Sequence, residues 1–303
     1  MELELIAWLR ERVSRSPAVE CGIGDDAAVI AVPSSDRLVV STDLLLDGVH
    51  FRLSETTPAR VGRKCLAVNL SDLAAMAARP LAAFVSLALP REHGLELAQG
   101  LYAGLLPLAD AFSIPIAGGD TNSWAHPLAV NVTVLGLVEP GRAWLRSGAK
   151  PGDWVLVTGS LGGSLLGHHF DFQPRVREAL LLAERYRIHA AMDISDGLAL
   201  DLSRLASESR CGACLELDKI PISPAAHQLA QADGRTPLEH ALGDGEDFEL
   251  LLAVPPAEAV RLLADQPLAV PLRKVGQIIP EPGLYQQIGS DLQPLAPLGY
   301  RHD

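Results

Sequence analysis

Aspartates stand at the ends of apolar segments along this chain. RLVVSTD ends in Asp43, SIPIAGGD in Asp120, and HAAMDISD supplies Asp193 and Asp196. GIGDDAAVI sets Asp25 and Asp26 side by side between a glycine turn and an apolar run. A bare carboxylate against apolar side chains is expensive, so either these acids face water or a cation offsets them. Taken singly, each strand-end acid also reads as a helix cap or turn former, Asp196 ahead of GLALDLSRL above all. Asp72 resists that reading, because it shares a helical stripe with Val61, Cys65 and Val68. An acid on the core-facing side of a helix needs a partner, and a salt bridge to an arginine is the plain alternative to a metal. Several such acids together suit oxygen-only ligation of a hard cation. Mg²⁺ takes one or two carboxylates and fills its remaining positions with water and phosphate oxygens.

Other features carry less. His168 and His169 are adjacent, with no thiolates at zinc spacing, and read as surface residues. The CGAC of Cys211 and Cys214 has neither a second ligand pair nor a thioredoxin-like context, and reads as incidental thiols. GIGDDA matches a dinucleotide fingerprint only formally: it precedes a strand, and two acids would sit where a pyrophosphate must approach. TGSLGGSLLG lacks a Walker lysine, leaving residues 159–164 as either an amide-rich anion loop or an ordinary turn. In GGDTN, Gly118 and Gly119 permit close backbone approach beside Asp120, and Arg146 and Lys150 of LRSGAKPGD suit a polyphosphate clamp.

The elements that must position these groups alternate between strands and helices, which predicts an α/β or α+β fold. Residues 3–14, 59–78, 92–112 and 174–187 read as helices. RLVVSTD, LAAFVSLAL, LAVNVTVLGLV, WVLVT, IHAAMDIS, GEDFELLLAV and a closing RKVGQII read as strands, with SIPIAGG a strand running into a glycine turn. Pro and Gly cluster at 139–153, so two domains are expected, 1–140 and 141–303. A net charge of −12 without basic runs argues against nucleic-acid or anionic-membrane surfaces. LAAFVSLALP is too short to span a bilayer. The acidic amphipathic start MELELIAWLRERV lacks signal-peptide regions, so a cytoplasmic location is expected.

Taken in order, GIGDDAAV, STDLLLDGVHF, AVNLSDLAAMAARP, GGDT, LRSGAKPGD, MDISDGLALDL and GEDFELL resemble the thiamine-monophosphate kinase family. They span nearly the whole chain, and they are also similar to the wider superfamily of aminoimidazole ribonucleotide synthetase and selenophosphate synthetase. The resemblance implies an N-terminal α/β domain whose sheet pairs with that of a second subunit to close a β-barrel. It further implies a C-terminal α/β domain, with ATP and several Mg²⁺ ions between the two. By motif position the metal ligands would be Asp26, Ser41, Thr42, Asp43, Asp72, Asp120, Asp193 and Asp196. ATP would meet Tyr102, Gly119, Asp120, Arg146 and Ser195. His50 and Glu246 would meet thiamine monophosphate, with Tyr300 as a C-terminal aromatic closing over it. The implied reaction makes thiamine diphosphate from ATP and thiamine monophosphate in a homodimer. The alternative is a superfamily member acting on a different small phosphorylated substrate. The acceptor phosphate, with a second pKa near ~6, is already mostly dianionic at neutral pH, so no general base is expected.

Overall fold

The computed structural model describes residues 2–14, 16–21, 23, 28–289 and 291–301. The chain divides into two compact units. One comprises residues 1–73 and 78–141, the other 74–77 and 142–303.

In the first unit, α1 (Glu2–Arg10) precedes a two-stranded antiparallel ribbon of β1 (Val19–Cys21) and β2 (Val29–Ile30). There follow β3 (Arg37–Leu46), α2 (Pro58–Ala75), β4 (Arg79–Pro90), α3 (Gly94–Ala111), β5 (Ile116–Trp124) and β6 (Ala129–Val138). The sheet order is β3-β6-β4-β5, so β3 and β5 are its two edges. Burial alternates along β3, as a period-two strand with one covered face requires. Val85, Val132 and Val134 lie on the covered face, beneath α2 and α3. On the open face Leu38, Val40 and Leu44 stay exposed. The two helices touch backbone to backbone: a Cβ on Gly62 would lie 1.9 Å from Leu101 O, and one on Gly104 only 1.7 Å from Ala59 O.

The GG of SIPIAGGD does not turn, contrary to the sequence expectation. β5 runs straight through it, pairing in parallel with β4, Gly119 beside Val85. A Cβ on Gly119 would sit 1.9 Å from Val85 O, so the glycine serves interstrand approach rather than a bend.

The second unit holds a seven-stranded sheet. Its strands are β7 (Trp154–Thr158), β8 (Ala190–Asp193), β9 (Gly212–Leu215), β10 (Leu250–Val254), β11 (Leu272–Ile279), β12 (Gly283–Ile288) and β13 (Asp291–Pro294). The order is β13-β12-β9-β11-β7-β10-β8, and only β12 and β9 run parallel. Helices α4 (His168–Asp171), α5 (Val176–Arg185), α6 (Leu198–Glu208), α7 (Pro224–Asp233), α8 (Pro237–Gly243) and α9 (Pro256–Asp265) complete it. RKVGQII is therefore not the closing strand, since the β12–β13 hairpin follows. GEDFELLLAV is a strand only from Leu250 onward. Among the described residues, no helix is long and apolar enough to cross a membrane.

Candidate active site

In the first unit, alternation along β3 splits the expected ligands between two faces. Ser41 and Asp43 point to the covered face, where Ser41 Oγ donates to the Asp72 carboxylate on α2. One partner of Asp72 is thus a hydroxyl. Cys65, one turn before Asn69 on α2, feels the charge of Asp43. Burial, above all, pushes its thiol up to about 12, so it is inert as a nucleophile. Thr42 points to the open face, bonded to Thr133 at 2.9 Å and to Asn131 Nδ2 at 2.9 Å. Asp120 lies on that same face by register, through Ser86 and Asn131. It is exposed, and its carboxylate accepts the Thr121 amide at 2.8 Å. It stands on the opposite edge of the sheet from β3, three strand spacings or roughly 14 Å away. A single chain therefore does not bring Asp120 to Ser41–Asp43.

His50 follows β3 in a loop fixed at both ends of the residue. Its Nδ1 accepts the Leu46 amide at 3.0 Å, which places the ring proton on Nε2. Lys64, 0% exposed, donates to the His50 carbonyl at 2.8 Å. Sequence reading passed over Lys64, because a lysine inside a helical run normally faces solvent. Tyr102 is core: 3% exposed, its ring 6.4 Å from that of Trp8, with its hydroxyl pKa raised by burial. Its ring packs against α1. Asp26 lies outside the described residues.

In the second unit, Asp193 ends β8 and is buried. Asp196 does not cap α6; its carboxylate pairs with Arg204. The loop amides of Ser195 and Asp196 are taken instead by Asp201, at 3.1 and 2.9 Å, from the first turn of that helix. Burial, mainly, lifts the Asp201 pKa to about 7, with the charges of Asp193 and Asp196 adding to it. The Tyr300 amide donates to Asp196 O at 2.9 Å, so the C-terminal tail docks on this loop with the Tyr300 ring half exposed. Arg146 is exposed on a loop held by Ser209, whose hydroxyl donates to Arg146 O and accepts from Gly148 and Ala149.

Residues 245–249 thread between that loop and the segment after β7. Gly245, Glu246 and Phe248 all have positive φ, 74°, 52° and 51°. The Glu246 amide donates to Ser195 O at 2.7 Å and the Phe248 amide to Ile194 O at 2.8 Å. Residues 159–164 are not an open anion loop, because the protein's own acids occupy their amides. Gly162 N–H goes to Asp247 Oδ1 and Gly163 N–H to Asp244 Oδ2, both at 2.8 Å. His169 is not a surface residue either. It is 7% exposed, with Nδ1 3.1 Å from Glu246 Oε2, while His168 is exposed as expected.

Family models for AIR synthase related protein match the chain twice, the N-terminal domain over 24–138 and the C-terminal domain over 163–288. Thiamine-monophosphate kinase of Rhodopirellula baltica is 47% identical over 310 aligned residues, covering 100% of this chain and 97% of that protein. The chain belongs to the thiamine-monophosphate kinase family. The crystal structure of thiamine-monophosphate kinase from Stenotrophomonas maltophilia K279a superposes with a TM-score of 0.77 at 34% identity, covering 94% of each chain. A structure described as AaThiL complexed with AMPPCP and TMP gives a TM-score of 0.79 at 28% identity, over 100% of this chain and 96% of that one. Within this member of the thiamine-monophosphate kinase family, the residues that sequence reading missed are Lys64, His169, Asp201 and Asp247. Each is buried and polar, and only burial, which the sequence pattern does not print, would have marked them.

Proposed function

We propose that this protein transfers the γ-phosphate of ATP to thiamine monophosphate, yielding ADP and thiamine diphosphate by direct in-line displacement. The observation that carries this reading is the end-to-end 47% identity to a thiamine-monophosphate kinase. The neighbour described with AMPPCP and TMP bound supports the same pair of substrates.

The donor set fits Mg²⁺. Ser41, Thr42, Asp43, Asp72, Asp120, Asp193 and Asp196 offer only oxygen. Mg²⁺ takes only one or two carboxylates and fills its remaining positions with water and phosphate oxygens. Asp26 is proposed with them by motif position. Bound Mg²⁺ would neutralise the repulsion between two polyanions, about 4 kcal/mol for each pair of unit charges ~4 Å apart at an effective dielectric of 20. The carboxylates then hold and orient without accepting a proton from the acceptor, which is already ionised. Arg146 clamps polyphosphate, and Gly119 and Ser195 lie at the nucleotide. His50 offers its Nε2–H to a phosphate oxygen. Glu246 faces the substrate, and Tyr300 covers it.

The working form is read as a homodimer. β3 and β5 are both open edges, and the sheet face between them exposes Leu38, Val40 and Leu44. Pairing β3 with a second copy's β5 would close a barrel and bury that face, with the second copy's Asp120 on the side that carries Thr42.

Incubation with Mg-ATP and thiamine monophosphate, resolved by chromatography, tests the activity. Thiamine diphosphate is expected from the monophosphate and not from free thiamine. Product only with an aminoimidazole precursor would move the protein to another branch of the superfamily.

A further inference from the structure

The loop carrying Glu246 is gripped residue by residue from the segment 159–175. Ser164 Oγ donates to Gly245 O at 2.6 Å, and Gly162 N–H reaches Asp247. Phe248 stacks on Phe172 with ring centroids 4.1 Å apart, and Arg175 holds Glu249 through two hydrogen bonds of 2.5 and 2.7 Å. His169 is the member of this grip that touches the Glu246 side chain itself. Its ring is buried and lies 4.0 Å, centroid to centroid, from Phe170. Glu246 meanwhile sits in the left-handed region, where a non-glycine side chain persists only if its surroundings enforce it. Backbone and carboxylate are thus both fixed from outside the loop, and that degree of restraint exceeds what folding a surface turn requires.

A carboxylate repels a phosphate but attracts the thiazolium ring of thiamine monophosphate, whose ring nitrogen carries a fixed positive charge. We propose that His169 is a positioning residue, donating from Nδ1 to Glu246 Oε2 and so holding that carboxylate toward the cationic ring of the substrate. This rests on the reading of Glu246 as a substrate contact.

Steady-state kinetics on three variants test this. His169→Phe keeps ring volume and removes the donor, and His169→Asn keeps a donor near the Nδ1 position. His169→Leu supplies a second donor-free variant should the phenylalanine variant not fold. The donor-free variants should raise KM for thiamine monophosphate about tenfold. Their kcat and KM for ATP should move less than about threefold, and His169→Asn should lie near wild type. In the background of Glu246→Gln, removing the donor should add almost nothing, because no carboxylate charge is left for it to aim at the ring. A fall in kcat with equal changes in both KM values, or full additivity with Glu246→Gln, overturns the proposal. A wild-type protein that makes no thiamine diphosphate overturns instead the functional reading on which it rests.

Discussion

The two units build their acidic sites in opposite ways. In the first, Ser41, Asp43 and Asp72 ride on a regular strand and a regular helix, and one partner of Asp72 is a hydroxyl. In the second, the acids around 244–249 sit on an irregular loop whose shape the protein itself enforces. Arg175 grips Glu249, and Thr158 donates to the same carboxylate at 2.5 Å. Glycine amides occupy Asp247 and Asp244, and Arg204 holds Asp196. The lesson is a division of labour. Acids on regular elements are placed by the strand and the helix that carry them, as Asp43 and Asp72 are. Acids in the loop are largely committed to holding the loop.

That contrast makes substitutions on the two sides fail differently. The largest effect on chemistry is expected at Asp43→Asn and Asp72→Asn. Turnover should drop about 10³-fold, with the melting temperature within a few degrees of wild type. Near-normal turnover in both would dissolve the distinction. Arg175→Ala should do the reverse and lose about 3–5 kcal/mol of stability in denaturant titration, because it strands the buried Glu249 charge. A stable Arg175→Ala protein with low kcat would place this pair in the chemistry rather than the scaffold. Leu44→Glu, on the open face of the sheet, should convert dimer to monomer in sedimentation while the monomer stays folded.

The smallest effect concerns Asp247, which is 2% exposed, with Oδ2 lacking a hydrogen-bond partner. Burial holds its pKa well above 3.8, against the Gly162 amide and with help from the charges of Glu249 and Asp244. The folded chain therefore keeps a proton that the unfolded chain releases, so this residue costs stability as pH rises from about 4 through its folded pKa. Asp247→Asn removes that slope. Relative to wild type, it should gain at least about 1 kcal/mol between pH 5 and pH 8 in thermal or denaturant unfolding. No change in that difference between pH 5 and pH 8 would show the carboxylate to be ionised in the folded chain.

The same contrast explains what was legible in the sequence. The period-two pattern of β3 and the helical stripe of α2 are local signals, and Asp43 and Asp72 could be read from them. GEDFE looks like the start of a strand because its apolar continuation does. Its left-handed residues are imposed by partners 70 to 90 positions away, such as Gly162, His169 and Arg175. GGD looks like a turn because glycine usually marks one, yet Gly119 answers to the carbonyl of Val85 on a neighbouring strand. His169 looked like surface for the same reason, since nothing nearby in the chain announces Glu246.

Neither the strand edges nor the distance between Asp43 and Asp120 was visible before the sheet order was known, and on that distance the proposed shared site depends. Mixing two inactive variants, Asp43→Asn and Asp120→Asn, and allowing subunits to exchange tests it directly. If the site combines Asp43 of one copy with Asp120 of the other, half the dimers are mixed and each has one intact site. Thiamine diphosphate formation should then recover to about a quarter of wild type. No recovery, with subunit exchange verified, would contradict a site shared between two copies.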